Sequence, residues 1–237
     1  MNQFKIGVKS GIPIALGYLP IAITFGILSV QAGLTPALAT GMSIWVFAGA
    51  SQFIAVNLLQ SHVPFIEIIL TTFILNLRHL LMSTALSRRL TSNTLISSLL
   101  AFGITDETFV VATVDEEQQQ IKASYFFGLA LTSYSGWVLG TFLGSYFSTV
   151  IPANFAVGMS VALYAMFIGL LIPSMKKSWQ ISFIAILSGI FSWVLSLLLP
   201  QLSSGWTIII ATLVATTVGF LLPEQKEETN PCTTPGC

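Results

Sequence analysis

The chain has 237 residues, of which 54% are hydrophobic and only 8% charged, with zero formal net charge and a mean hydropathy of +0.85. A soluble domain carries about a quarter of its residues as Asp, Glu, Lys and Arg, so there is too little charge here to coat a water-facing surface, and the neutral balance gives no footprint for nucleic acid. Apolar runs close to the 17–25 residues that span a bilayer recur from end to end and do not alternate as barrel strands do, which makes the lipid bilayer the expected environment.

In chain order, Lys5 and Lys9 precede a first apolar run at 11–31, interrupted by Pro13, Gly17, Pro20 and Gly26. It is too long for a signal peptide and no small-residue cleavage site follows. Proline removes a backbone donor, so Pro20 is expected to break this helix. A second run covers 36–60, and the link Ser61-His62-Val63 leads into a third at 64–87, closed by Arg88 and Arg89. The run 95–114 is weaker, because Gly103-Ile104-Thr105-Asp106-Glu107 interrupts it; Gly103 is the expected break. An acidic linker at 115–120 follows, then four further runs at 123–150, 155–173, 181–199 and 206–222. The polar tail holds Cys232 and Cys237, too few thiols for a four-ligand metal site.

The expected fold is an all-α integral membrane protein with about seven transmembrane helices (six to eight), a two-fold internal repeat, and broken or re-entrant segments. The repeat is read at an offset of about 117 residues: Thr24-Phe25 recurs as Thr141-Phe142, Gly41-Met42-Ser43 as Gly158-Met159-Ser160, Ala39 as Ala156 and Ala48 as Ala165. Residues 1–222 then form one transmembrane domain, with repeats at 11–114 and 123–222, ahead of the tail 223–237. The positive-inside rule places Arg88, Arg89, Lys122, Lys176, Lys177 and Lys226 in the cytoplasm. That requires 95–114 to enter and leave on one side. If 11–31 crosses fully, there are seven spans, the halves are inverted, and Lys5 and Lys9 fall outside; if that proline-broken segment only dips, there are six spans and they fall inside.

The third run carries Asn76-Leu77-Arg78-His79 at its middle. A guanidinium at the centre of a bilayer costs roughly 2.5–3.5 kcal/mol on insertion scales, so it needs a partner or a task. Thr72, Asn76, His79 and Ser83 fall on one helical face, whereas Arg78 sits about 200° round from Asn76 at 100° per residue. Two readings stand. Asn76 and His79 line a substrate or proton path while Arg78 holds a carboxylate; or Arg78 latches to Asp106 or Glu107, and Asn76 and His79 tie helices together. Asp106 and Glu107 are either coupling carboxylates or a solvated interfacial turn. Glu67, at the start of its helix, is expected to face headgroup water.

The stretch 45–53 combines Phe47, Ala48, Gly49, Ala50, Ser51, Gln52 and Phe53. Its small residues permit close approach of a backbone or a substrate, and Gln52 offers donors and an acceptor to a polar ligand; ordinary helix packing is the alternative. Ser51 with His79 superficially suggests a serine nucleophile and its base, but Gly-x-Ser is weak in a chain rich in both residues. No phosphate loop and no metal-ligand spacing is present, so no catalytic residue, cofactor or metal is expected.

Taken together, Gly17-Tyr18-Leu19-Pro20 with Phe25-Gly26, then Phe47-Ala48-Gly49-Ala50-Ser51-Gln52-Phe53, then Asn76-Leu77-Arg78-His79, then Thr105-Asp106-Glu107-Thr108-Phe109 resemble the AzlC family of bacterial branched-chain amino acid exporters. The resemblance implies a multi-pass inner-membrane protein that exports leucine, isoleucine and valine, with methionine a further candidate, driven by the proton motive force. It also implies a small AzlD-type membrane subunit as partner. It supplies no residue roles. For such a substrate Arg78 would meet the carboxylate, Asp106 or Glu107 the ammonium, and Phe47 and Phe53 would wall the side chain. The alternatives are a non-transporting scaffold or sensor subunit, or an uncoupled channel-like permease.

Overall fold

The computed structural model describes residues 2–113, 120–150, 168, 171–172, 175–176, 179–199 and 204–220. Its contacts divide the chain into two compact units, Met1–Met166 and Phe167–Cys237.

The first unit is built on two helices that run parallel. Helix α1 spans Gln3–Gln31 and helix α7 spans Ala123–Tyr146. Glycine recurs every fourth residue along α7 at Gly136, Gly140 and Gly144, and α1 answers with Gly7, Gly11 and Gly26. Without Cβ atoms the two backbones approach until a methyl at these positions would overlap the partner: Gly7 meets Tyr125, Gly136 meets Ala15, Gly144 meets Ile23 and Gly26 meets Thr141. Such small-residue seams supply the packing that hydrophobicity cannot supply within lipid. The contacts rise together along both chains, which fixes the parallel sense. Pro20 does not break α1, contrary to expectation. Pro13, Gly17 and Pro20 all lie on the exposed face away from the seam, so the missing amide bonds leave the packed face intact.

The run 36–60 also departs from expectation, because it is two helices rather than one crossing. Helix α2 spans Pro36–Trp45 and α3 spans Gly49–Gln60, with non-helical backbone at Val46 and Ala48 between them, extended at Val46. Along α7, α2 descends: Ser145 reaches Pro36, Thr141 reaches Ser43, and Tyr134 reaches Ile44. At the turn Phe47 rests on Tyr18, but Phe53 lies against Phe25, seven residues further along α1 in the opposite sense. Seven residues are roughly 10 Å of helix. The segment therefore dips to mid-depth and returns.

Helix α4, Phe65–Ser87, then crosses. A two-residue parallel strand pair follows, β1 Leu90–Thr91 against β2 Ile121–Lys122, the latter leading directly into α7. This pairing ties the start and the finish of the intervening segment to one end of the unit. Between the strands lie α5, Thr94–Ala101, and α6, Asp106–Thr113. Phe102, just past α5, packs on Tyr134, and Gly103 faces Ala130, so α5 climbs from the β2 end to mid-depth. Residues 92–120 enter and leave on one side, as the charge pattern requires.

Two hairpins thus enter from opposite ends, and only α1, α4 and α7 of this unit are long and apolar enough to cross among the described residues. Lys5 and Lys9 consequently share the end that carries Arg88, Arg89 and Lys122, not the far side, because 36–60 does not cross. By the positive-inside rule that end is cytoplasmic. Glu67 is also misplaced by the sequence reading: it is 4% exposed, inside the first turn of α4 rather than in headgroup water.

The second unit contributes α8, Trp179–Leu198, and α9, Ser204–Phe220, packed antiparallel with Ile184 against Gly219. With α8, the described residues hold four helices fit to cross a bilayer, and the run expected at 155–173 lies almost entirely outside them. The linker at 115–119, the repeat counterparts at 156, 158–160 and 165, Lys177, Lys226 and the tail 223–237 with both cysteines lie outside the described residues.

The hairpin reading is checked by labelling single cysteines in a background where Cys232 and Cys237 are serine. Gln31→Cys and Ser61→Cys should react from the same face of the membrane and Thr94→Cys from the other. A crossing by 36–60 would put Gln31 and Ser61 on opposite faces.

Candidate functional site

The two hairpin tips meet against the middle of the α1–α7 pair. Phe47 from the α2–α3 tip lies 6.4 Å from Phe102 at the α5–α6 tip, and both stand edge-on to Tyr134, at 5.4 and 5.6 Å. Tyr18 is edge-on to Phe47 and to Trp137, at 6.0 and 5.5 Å. Such perpendicular pairs contribute about 0.5–1.5 kcal/mol each beyond their buried area. Beside this joint, on the α5–α7 side, an apolar recess of about 210 Å³ is lined by Leu99, Phe102, Phe127, Ala130 and Tyr134.

The outer tip is held by a buried amide relay. Trp137 Nε1 donates to Gln52 Oε1 at 2.9 Å, and Gln52 Nε2 donates to Ser43 Oγ at 3.0 Å. Ser43 Oγ in turn lies 2.8 Å from Thr141 Oγ1. Gly49 sits against the six-membered ring of Trp137, and Ser51 Oγ donates to Ala48 O at 2.9 Å. Gln52, Ser51 and Gly49 are thus occupied with the break itself, and Phe53 with Phe25.

The inner tip is shaped by two threonines. Thr105 N donates to Thr108 Oγ1 at 2.8 Å, Thr108 N to Thr105 Oγ1 at 3.2 Å, and Thr108 Oγ1 to Gly103 O at 2.9 Å. This reciprocal cap starts α6 one residue before Glu107 and places Asp106 and Glu107 in its first turn, where the helix dipole favours anions. Asp106 Oδ2 receives Arg78 Nη1 from α4 in an ion pair whose side chains are 31% and 27% exposed. Glu107 Oε2 receives the Tyr18 hydroxyl, which also lies 2.8 Å from Thr105 Oγ1. His79 is half-buried and within electrostatic reach of Arg78 and Asp106.

The structure therefore brings Arg78, His79, Asp106 and Glu107 together with Tyr18, and keeps Gln52 at a separate relay. Among the described residues, four buried polar atoms have no hydrogen-bond partner: Thr71 Oγ1, Asn76 Oδ1, Arg78 Nε and Glu107 Oε1. All lie on α4 or α6. A buried polar atom without a partner costs about 1–3 kcal/mol, so these four are hydrogen-bonding capacity that the fold of α4 and α6 leaves unused. Sequence reasoning missed Tyr18 as a site residue, although it stands in the Gly17-Tyr18-Leu19-Pro20 motif, and missed Thr105 and Thr108. It also chose the wrong face of α4: the buried polar positions are Glu67 and Thr71, one turn apart, while Thr72, Asn76, His79 and Ser83 are half-buried.

A family model described as AzlC protein matches residues 13–151, which contain every group just named. The chain is 28% identical over 193 residues to the inner membrane protein YgaZ of Escherichia coli, covering 78% of this chain and 79% of that one. It is 33% identical over 176 residues to an uncharacterized membrane protein of Archaeoglobus fulgidus, covering 73% and 77%. It is 27% identical over 175 residues to the branched-chain amino acid transport protein AzlC of Bacillus subtilis, covering 73% and 68%. No solved structure matches.

The relay generates one test. Gln52→Leu should lower stability by about 1–3 kcal/mol, because it orphans the buried Trp137 indole N–H. Adding Trp137→Phe should cost less than its single-variant value, a coupling of about 0.5–3 kcal/mol measurable by thermal unfolding in detergent. Additive costs would show that the two side chains do not depend on each other.

Proposed function

We propose a transport function for this chain on the premise that it belongs to the AzlC family, whose model matches more than half of it. The reading is a secondary transporter that exports leucine, isoleucine and valine, with methionine a further candidate. The proton motive force drives it, and the chain acts as the large subunit beside a small AzlD-type membrane partner.

The observation that carries the reading is the Arg78–Asp106 pair at the meeting point of two broken helices. Transporters commonly place their substrate site where discontinuous helices end at mid-membrane. Asp106 takes one Nη of Arg78 and leaves Nε buried and unpartnered. A guanidinium holds a carboxylate with two parallel bonds, so Arg78 retains capacity for a second carboxylate. In this reading the pair is the resting latch. The substrate carboxylate engages Arg78, its ammonium takes Asp106, and the apolar recess by Phe102 and Tyr134 receives the branched side chain. The aromatic joint, with Phe47 at its centre, separates the two sides of the membrane.

The test is valine efflux from cells loaded with a valine dipeptide. Arg78→Ala and Asp106→Asn variants that insert normally should each lose efflux by roughly tenfold or more, the scale of losing a charge-assisted hydrogen bond of about 1.5–3 kcal/mol. The swapped pair Arg78→Asp with Asp106→Arg separates the two roles of the site. It should restore protein levels but not efflux, because α6 would then offer the cation where the substrate ammonium belongs. Full efflux from the swapped pair would reduce Arg78–Asp106 to a structural latch.

A further inference from the structure

We propose that Glu107 is the proton-carrying group of this site and that Tyr18 transmits its charge state to the joint between the hairpins. The inference rests on the transport reading above and divides the two adjacent carboxylates between separate tasks.

Asp106 and Glu107 are consecutive in the first turn of α6 and share one neighbourhood. Arg78 satisfies Asp106. Glu107 meets a phenol instead of a cation: its Oε2 accepts from Tyr18, and its Oε1 is buried with no partner. Two carboxylates beside one guanidinium leave one negative charge uncompensated in low dielectric, and a proton is the smallest ion that removes it. The groups facing Glu107 are Tyr18 from α1 and Thr105 and Asp106 from its own hairpin; Arg78 on α4 meets Asp106, with His79 in reach of that pair. Helix α7 carries no Asp, Glu, Lys, Arg or His, and its Tyr134 is engaged with Ile44 O at 2.8 Å.

The step itself is simple. An O–H bond forms on Oε1, the oxygen turned away from Tyr18, from a proton delivered by water on one side; the same bond breaks when the proton leaves to the other. No other covalent bond changes. A carboxylate is a stronger acceptor than a carboxylic acid, so loss of the proton tightens the Tyr18–Glu107 bond and protonation loosens it. Tyr18 is the residue on which Phe47, the tip of the outer hairpin, rests edge-on. It also bonds the inner hairpin through Thr105 and Glu107. A change at Oε1 therefore reaches both hairpins through one side chain.

The experiment uses the full chain reconstituted together with its small AzlD-type membrane partner in vesicles loaded with valine, with a pH-sensitive dye reporting proton movement. Wild-type vesicles should move protons in fixed ratio to valine. Glu107→Gln, which keeps the Tyr18 bond but cannot ionise, should lower that ratio by roughly tenfold and flatten the pH dependence of valine exchange. An unchanged ratio in Glu107→Gln overturns the proposal. If that variant fails to insert, Tyr18→Phe serves. It should move the midpoint of the exchange pH profile by about half a pH unit or more, as loss of a hydrogen bond to a carboxylate does; an unmoved midpoint also overturns it. Wild-type vesicles that move no valine would refute the transport reading and this inference with it, whereas valine movement with an unaltered proton ratio in the variant refutes this inference alone.

Discussion

Backbone that stops being helical inside a bilayer must find its hydrogen bonds within the protein, because hydrocarbon offers none. Two segments of this chain stop there, and the rest of the first unit is arranged around their satisfaction. At the outer tip Tyr134 donates to Ile44 O, Ser51 to Ala48 O, and Gln52 reaches back to Ser43. At the inner tip Thr105 and Thr108 cap each other and close on Gly103 O. Both tips lean on α1 and α7, whose glycine seam draws the two backbones together and presents Tyr18, Tyr134 and Trp137 as one wall. Loosen the seam, and the wall that completes the tips is lost.

The same constraint explains why charge collects where it does. A broken helix ends at mid-depth with its first amides unpaired by helical bonds, so its N-terminal turn is a local positive field in an otherwise apolar medium. Asp106 and Glu107 occupy that turn. Their presence makes a partly buried cation on α4 tolerable, and Arg78 in turn draws α4 towards α6. Neither the acids nor the arginine would be stable in lipid alone. What remains unpartnered, at Arg78 Nε, Asn76 Oδ1 and Glu107 Oε1, is polar capacity beyond what folding requires.

Composition and run lengths made the membrane class, the helical character and the Arg78–acid meeting legible in the sequence. An arginine among apolar residues points to a counterion, and only the interrupted run at 95–114 offered one. The paired entry and exit of that run was legible from charge alone. The break at 46–48 was not, because Val46, Phe47 and Ala48 carry no proline or glycine; the turn is imposed by Trp137 and Gln52, which are 85 residues apart in sequence. Pro20 misled for the converse reason: proline disrupts a helix only where its missing bond matters, and here it faces away from the packed seam. The seam was visible as glycine at every fourth position of α7 and went unread. Tyr18 could not be ranked from sequence, since its role depends on which segment meets it at depth.

Treating 36–60 as a crossing forced Lys5 and Lys9 to the outside, a conflict with the positive-inside rule. Two hairpins of opposite entry remove the conflict without moving any residue, since each returns the chain to the side it left. The parallel course of α1 and α7 demands the same thing by parity: an even number of crossings must separate their starting ends, and α1 with α4 supplies two. Three independent features, namely the β1–β2 pairing, the parallel seam and the placement of Lys5, Lys9, Arg88, Arg89 and Lys122, therefore agree on one topology. That topology puts a pair of mid-membrane tips, one entered from each side, beside the Arg78–Asp106 ion pair. The two half-entries meet at a ring of aromatic side chains, Phe47, Phe102 and Tyr134, beside Tyr18 bonded to an acid.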